Sequence, residues 1–198
     1  MAHISLLPVW IILWLTIPIA IWFEDRGPVL FKQLRIGKDG KQFVFLKFRT
    51  MSTDSESIGL VTVESDPRIT KVGRILRRTA LDELPQIINI LRNDMTFVGP
   101  RALPTQMHLD AVAVEPEFAK RSKITPGLTG IAQLYLPRHC SPRRRSRYDL
   151  LYIKKASLRL DIKLMLQAIL NTFTGRWGTG HRRPETQDES AQFEVKRG

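Results

Sequence analysis

With 198 residues, and 31 Lys and Arg against 19 Asp and Glu, the chain has room for one domain plus appendages and carries a formal charge of +12. That charge calls for an anionic partner: nucleic acid, an acidic membrane surface or a phosphorylated substrate. A single cysteine, Cys140, excludes an intrachain disulfide, and the four histidines (His3, His108, His139, His181) have no metal-site spacing, His139 and Cys140 being neighbours without a second pair.

The first predicted element is the uncharged run "LLPVWIILWLTIPIAIWF", residues 6 to 23, eighteen residues and just long enough for a short membrane-spanning helix. No Lys or Arg precedes it and no small-residue cleavage site comes after it, which argues against a secretory signal peptide. Pro8 and Pro18 interrupt helical hydrogen bonding, so the run either crosses the bilayer or enters and returns on the same side. Trp10, Trp14 and Trp22 suit a membrane interface better than a soluble core. The first cations downstream, Arg26, Lys32 and Arg35, place the rest of the chain in the cytoplasm. Residues 1–25 are therefore expected to form a membrane-inserted segment, 26–174 a cytoplasmic domain and 175–198, polar with few apolar anchors, a disordered tail.

"GPVLFKQLRIGKDGKQFVFLKF" reads as a β-hairpin turning at Asp39-Gly40. Period-two alternation puts Phe43, Phe45, Lys47 and Arg49 on one face of its second strand and Val44, Leu46 and Phe48 on the other. Lys47 and Arg49 form either a solvated edge or a phosphate-holding pair. Residues 52 to 65 read as a polar loop. "DPRITKVGRILRRT" returns to helical spacing, with Arg74, Arg77 and Arg78 at i, i+3, i+4 opposite Val72, Ile75 and Leu76. Such a face is either solvated or laid on anionic headgroups.

Next come adjacent acids, Asp82 and Glu83. Thr79 stands three residues before Asp82, at capping-box spacing, and Pro85 fits an early turn, so a helix is predicted from here through "QIINIL". Either the acids only complement the helix dipole, or they do chemistry. A carboxylate among arginines suits phosphoryl transfer, with arginines gripping phosphate oxygens and a hard cation such as Mg²⁺ held by one carboxylate plus substrate phosphates. "VGPRALP" and "ITPGLTG" read as Pro/Gly turns, the first containing Arg101. "PRHCSPRRRSRY" is a basic patch, and "YDLLYIKKASLRLDIKLMLQAILNTF" a pair of amphipathic segments with Asp149 and Asp161 twelve residues apart.

"GPVLFKQLRIG", "FLKFRTM", "DPRITKVGRILRRTALDELPQIINIL", "NDMTFVGPR", "PGLTGIAQ" and "YDLLYIKKASLRLDIK", in this order, resemble the bacterial sugar transferase family of monotopic polyprenyl-phosphate phosphoglycosyl transferases. The likeness runs over roughly residues 8 to 170, with "VGPRA" for the usual "VGPRP", "GIAQ" for "GWAQ", and Leu7-Pro8 near the place of a helix-breaking Ser-Pro. It implies an α+β fold: a re-entrant N-terminal membrane helix, a β-hairpin and a small, mainly helical domain lying on the cytoplasmic face of the bacterial inner membrane. The implied reaction moves a sugar-1-phosphate from a UDP-sugar to undecaprenyl phosphate with release of UMP, requires Mg²⁺, and starts an exopolysaccharide, O-antigen or related glycoconjugate. By the same likeness Asp82 is the nucleophile that carries the phosphosugar and Glu83 the metal ligand. Arg49, Arg77 and Arg101, joined by Lys47, hold phosphate, and one of Asp149 and Asp161 lies near metal or substrate. A homodimer is compatible with this reading. The competing reading is a non-catalytic, membrane-anchored basic adaptor or scaffolding homologue; nucleic acid is not an expected partner, since the basic patch has no interleaved aromatics.

Overall fold

The computed structural model describes residues 7–53, 66–137 and 140–174, and leaves the side chains of residues 7–10 and 173 undescribed. The polar loop (apart from its first two residues), the C-terminal tail, His139 and the side chain of Trp10 lie outside those residues.

Helix α1 spans Leu7–Asp25 and is apolar on every side, with Pro18 inside it rather than at an end. One stripe is covered: Ile17 and Ile21 are buried in a cluster with Phe48 and Leu76, and the Trp14 ring meets Phe48 edge-on at 5.6 Å. The opposite side is bare, with Ile11, Ile12, Leu15, Ile19 and Phe23 each more than 50% exposed. At its end, Arg26 stacks on Trp22 at 4.3 Å. Among the described residues no helix is long and apolar enough to cross a membrane.

The hairpin forms where predicted. Strand β1 (Leu30–Ile36) pairs antiparallel with β2 (Gln42–Phe48), in a register running from Leu30 opposite Phe48 to Ile36 opposite Gln42. Asp39 and Gly40 turn it with positive φ, 54° and 76°, as a tight twisted hairpin demands. Its faces do not divide into wet and dry: Phe45, Leu46 and Phe48 are all buried, because α1 packs on Phe48 and helices from later in the chain cover the remainder.

Helix α2 (Lys71–Thr79) is capped twice. Thr70 Oγ1 accepts from the Gly73 amide at 2.9 Å. Glu24, from the end of α1, accepts from the amides of Lys71 and Val72 at 2.6 and 3.0 Å, which ties the two helices together and complements the helix dipole. Leu76 is buried and Ile75 exposed. Gly73 lies against the Thr50 backbone so closely that a Cβ would sit 2.1 Å from the Thr50 carbonyl oxygen. Gly73→Ala is therefore expected to cost about 1–3 kcal/mol, read as a lower melting temperature in lipid nanodiscs; an unchanged melt would show that α2 can slide away freely.

The helix predicted to start at Thr79 starts later. Thr79 is the last residue of α2, its hydroxyl donating back to the carbonyls of Ile75 and Leu76 at 2.9 and 3.2 Å. Ala80 then takes a left-handed conformation, φ 55°, and ends the helix. Leu81–Glu83 form one 3-10 turn, Leu84 and Pro85 come next, and α3 is Gln86–Leu91. With its hydroxyl turned backwards, Thr79 is unavailable as an N-cap, and Asp82 and Glu83 ride a short turn between two helices. Asn89 of α3 is fully buried and docks on the edge of β2 as a strand would, accepting from Leu46 N at 3.1 Å and donating to Val44 O at 2.8 Å.

The two Pro/Gly clusters contain more than turns. β3 (Thr96–Val98), which leads into the first, and β4 (Gly127–Thr129), inside the second, pair in parallel, Thr96 opposite Gly127 and Val98 opposite Thr129. The backbones close so tightly that a Cβ on Gly127 would lie 2.0 Å from the Gly99 amide nitrogen. Three-residue strands carry no periodic signal, which is why local reading sees turns only. Around them pack α4 (Thr105–Val114), a 3-10 segment Pro116–Lys123, α5 (Ile131–Tyr135), α6 (Pro142–Lys155) and α7 (Leu158–Thr174). Val98, Leu134, Tyr152 and Leu164 form one buried cluster there, and Leu103, Ala111 and Phe118 another. From Pro142 onward the basic patch is the first half of α6, capped by Ser141, whose hydroxyl accepts from Arg144 N at 3.3 Å. The fold is thus α+β, mostly helical with two small sheets.

Candidate active site

The 3-10 turn of Asp82 and Glu83 faces the base of the hairpin. Three residues per turn send neighbouring side chains about 120° apart, and the two acids meet different surroundings. Asp82 is 8% exposed and Glu83 half-buried. Burial raises the Asp82 carboxyl from its ordinary 3.8 to about 6, helped by the charge of Glu83 and opposed by Lys47, Arg77 and Arg101. Lys47, on the β2 face predicted to hold it, is pushed down to about 8, first by burial, then by neighbouring arginines, with Asp82 pulling it up.

Arg101 leaves the turn after β3 and donates from Nη2 to Glu83 Oε1 at 2.7 Å. The Glu83 charge holds its guanidinium above its ordinary range. Arg77, near the end of α2, donates from Nε to the buried Thr50 hydroxyl at 2.8 Å. A fourth cation, Arg35 of β1, was missed by the sequence analysis. Its guanidinium lies 3.5 Å from the centre of the Phe45 ring, donates to Ala102 O at 2.9 Å and is pushed down to about 9 by burial and by the charge of Arg101. On the sequence Arg35 is one strand charge among several, and nothing local marks it as the buried one. Four cations thus surround two carboxylates, leaving an excess of positive charge about a partly ionised acid.

Three other predicted residues lie apart from this group. Arg49 is buried and turned the other way, in an ion pair with Asp25 at the end of α1. Asp149, on α6, is buried in an ion pair with Arg121, Nε to Oδ2 at 2.8 Å. Asp161, on α7, accepts from the Tyr152 hydroxyl at 2.9 Å and lines an open cleft of about 500 Å³ with Lys38, Lys123, Phe97 and Leu158. Arg121 is the second residue that sequence reasoning passed over, hidden in a charged stretch of ordinary appearance.

Among the described residues no three His, Cys, Asp or Glu gather as a metal-binding group. A hard cation held here by Glu83 would have to draw most of its oxygens from substrate phosphates and water, as Mg²⁺ does at phosphate-transfer sites.

This chain is 38% identical over 170 residues to the exopolysaccharide production protein PSS of Rhizobium leguminosarum bv. phaseoli, covering 81% of this chain and 85% of that one. It is 40% identical over 163 residues to a UDP-glucose:undecaprenyl-phosphate glucose-1-phosphate transferase of Caulobacter vibrioides, covering 79% of this chain and 61% of that one. An Aeromonas hydrophila UDP-N-acetylgalactosamine-undecaprenyl-phosphate N-acetylgalactosaminephosphotransferase is 35% identical over 181 residues, which cover 88% of this chain and 42% of that one. The chain thus spans most of the first relative and less than two thirds of the other two. The bacterial sugar transferase family model matches residues 1–175, a range that takes in every described residue, and the chain belongs to that family.

Proposed function

We propose that this protein transfers a sugar-1-phosphate from a UDP-sugar to undecaprenyl phosphate, releasing UMP, in an early membrane step of exopolysaccharide or related glycoconjugate synthesis. The observation that carries the reading is Asp82: a buried carboxyl held near neutrality among Lys47, Arg77 and Arg101, in a chain whose relatives bear the names of such transferases. An ionised Asp82 oxygen attacks the sugar-bearing β-phosphorus, the bond from that phosphorus to the bridging oxygen breaks, and UMP departs with the electron pair. An oxygen of undecaprenyl phosphate then attacks the same phosphorus, freeing Asp82 and leaving the sugar on a lipid diphosphate. Split this way, the transfer has the lipid phosphate meet a singly charged phosphoryl group on Asp82 rather than the doubly charged diphosphate of the donor.

Lys47, Arg77 and Arg101 neutralise the diphosphate, with Arg101 able to grip two oxygens at once. Glu83, beside Asp82, would hold Mg²⁺ with the substrate phosphates, where the ion neutralises charge as the leaving group forms. The bare apolar side of α1 and the stacked Trp22–Arg26 pair at its end suit insertion into one leaflet of the inner membrane from the cytoplasmic side. There Asp82 meets both a soluble donor and a lipid acceptor. The relatives act on different sugars by name, glucose in one case and N-acetylgalactosamine in another, so the donor is specified here only as a UDP-sugar.

The test is the order of events. Enzyme, Mg²⁺ and the correct UDP-sugar, mixed without lipid acceptor, are expected to release UMP in a burst equal to the enzyme present. Silence until undecaprenyl phosphate is added, with a donor that does turn over, removes Asp82 from the nucleophile's role.

A further inference from the structure

The turn that carries Arg101 is held by an unusual run of bonds. Four consecutive carbonyls are taken: Pro100 O by Gly127 N at 3.0 Å, Arg101 O by Arg121 Nη2 at 2.7 Å, Ala102 O by Arg35 Nη1 at 2.9 Å and Leu103 O by Ile36 N at 3.1 Å. Two of these donors are backbone amides of neighbouring strands and need no explanation. The middle two are buried guanidiniums brought from distant parts of the chain.

Arg121 is itself held. Its Nε donates to Asp149 Oδ2 at 2.8 Å, and the two side chains are only 4% and 2% exposed. Phe118 lies below the guanidinium, 4.8 Å from ring centre to Cζ. Burying such a pair is costly, and an apolar pair of the same volume would often stabilise a core better. Stability therefore gives little reason for these two charges. Geometry gives a better one. The planar fork binds the carboxylate with one nitrogen and, with another, the carbonyl of the residue whose own guanidinium reaches Glu83 at 2.7 Å. A lysine ammonium has no fork to span both.

We infer that the Asp149–Arg121 pair is a positioning device for Arg101. It fixes the Arg101 backbone so that the guanidinium leaves the turn toward Glu83 and the bound diphosphate, and neither Asp149 nor Arg121 touches substrate or metal. The inference rests on the nucleoside-diphosphate reading of the site. Asp149 then acts through Arg101, and its buried partner explains why it stands away from the acidic pair.

A double-mutant cycle on the full-length protein in lipid nanodiscs tests this, with two readouts: equilibrium binding of UDP, which requires no chemistry, and UMP release from the UDP-sugar. Arg121→Lys is expected to weaken UDP binding about 5- to 50-fold when Arg101 is present and less than about twofold in Arg101→Ala, since a device that acts through Arg101 has nothing left to position. Asp149→Asn, nearly isosteric, runs the same cycle should Arg121→Lys fail to fold. A merely structural pair would lower the melting temperature yet cost the same factor in both backgrounds, and that additive result overturns the inference. Coupled UDP binding without UMP release from any UDP-sugar would sink the transferase reading and leave the positioning role standing. UMP release with additive losses would do the reverse. Failure of the wild-type protein to bind UDP would remove both.

Discussion

Asp82→Asn is expected to lose turnover by at least about a thousandfold, because an amide oxygen cannot serve as the attacking anion. Intact-protein mass spectrometry with the UDP-sugar and no acceptor should then show no phosphosugar adduct, where the wild-type protein gains one. The same variant is expected to be more stable. The Asp82 carboxyl titrates at about 6 in the folded protein against an ordinary 3.8, mainly because burial disfavours its charge. A carboxyl raised in this way contributes stability that is present in full below the unfolded value and lost as the pH rises through the folded one. At neutral pH the ionised group therefore weighs against the folded state, and replacing it should yield a gain on the order of 1–3 kcal/mol. That gain should shrink as the medium is acidified, because the wild-type carboxyl is then protonated as well. A variant that keeps full turnover would return Asp82 to the status of a structural acid, whatever its melting point.

The second large effect is on pH dependence. In the proposed mechanism Asp82 attacks as an anion, so the rate of the acceptor-free UMP burst should climb as the pH passes about 6. Lys47 must be charged to neutralise phosphate, and its folded value of about 8 means that the rate should fall again above it. A bell with its plateau between these limbs is expected. The half-reaction is the right place to look, because the diphosphate of a UDP-sugar has no proton to lose in this range and the lipid phosphate is absent. Lys47→Arg offers the control: a guanidinium keeps its charge far above the lysine's value, so the alkaline limb should move up while the acid limb stays. An alkaline limb that ignores this substitution would mean that Lys47 does not set it, and an acid limb near 4 would mean that Asp82 is not the burdened carboxyl the geometry implies.

Much of this protein is legible in its amino-acid order. The hairpin and its turn are read correctly, because alternation in β1 and β2 and the Asp39-Gly40 pair are local signals that the backbone obeys locally. The apolar run is read as a helix, and α2 as a basic amphipathic one, for the same reason. The motifs, taken in order, identify the family and pick out Asp82, Glu83, Arg77 and Arg101, strand alternation adds Lys47, and the fold does bring these five together. What local pattern could not settle was partnership. Thr79 stands at capping-box spacing, yet the left-handed Ala80 ends the helix there and turns its hydroxyl backwards. The strands β3 and β4 are too short for any period and pair across a long stretch of chain only because Gly127 lets two backbones touch.

Charges show the division most clearly. On the sequence Arg49 and Arg101 are marked alike as phosphate-holding cations, Arg35 and Arg121 carry no such mark, and Asp149 is an acid at the start of a motif. Composition and motif order determined that this chain would gather cations about a pair of acids and carry an apolar N-terminal helix. Only the tertiary structure decided that Arg49 turns to Asp25, that Arg101 reaches Glu83, and that Arg35 and Arg121 are buried on the carbonyls beside it. The reason is physical. Secondary structure is chosen by interactions among near neighbours, whereas the cost of burying a charge is met only by a partner within about 3 Å, and chain separation says nothing about that distance.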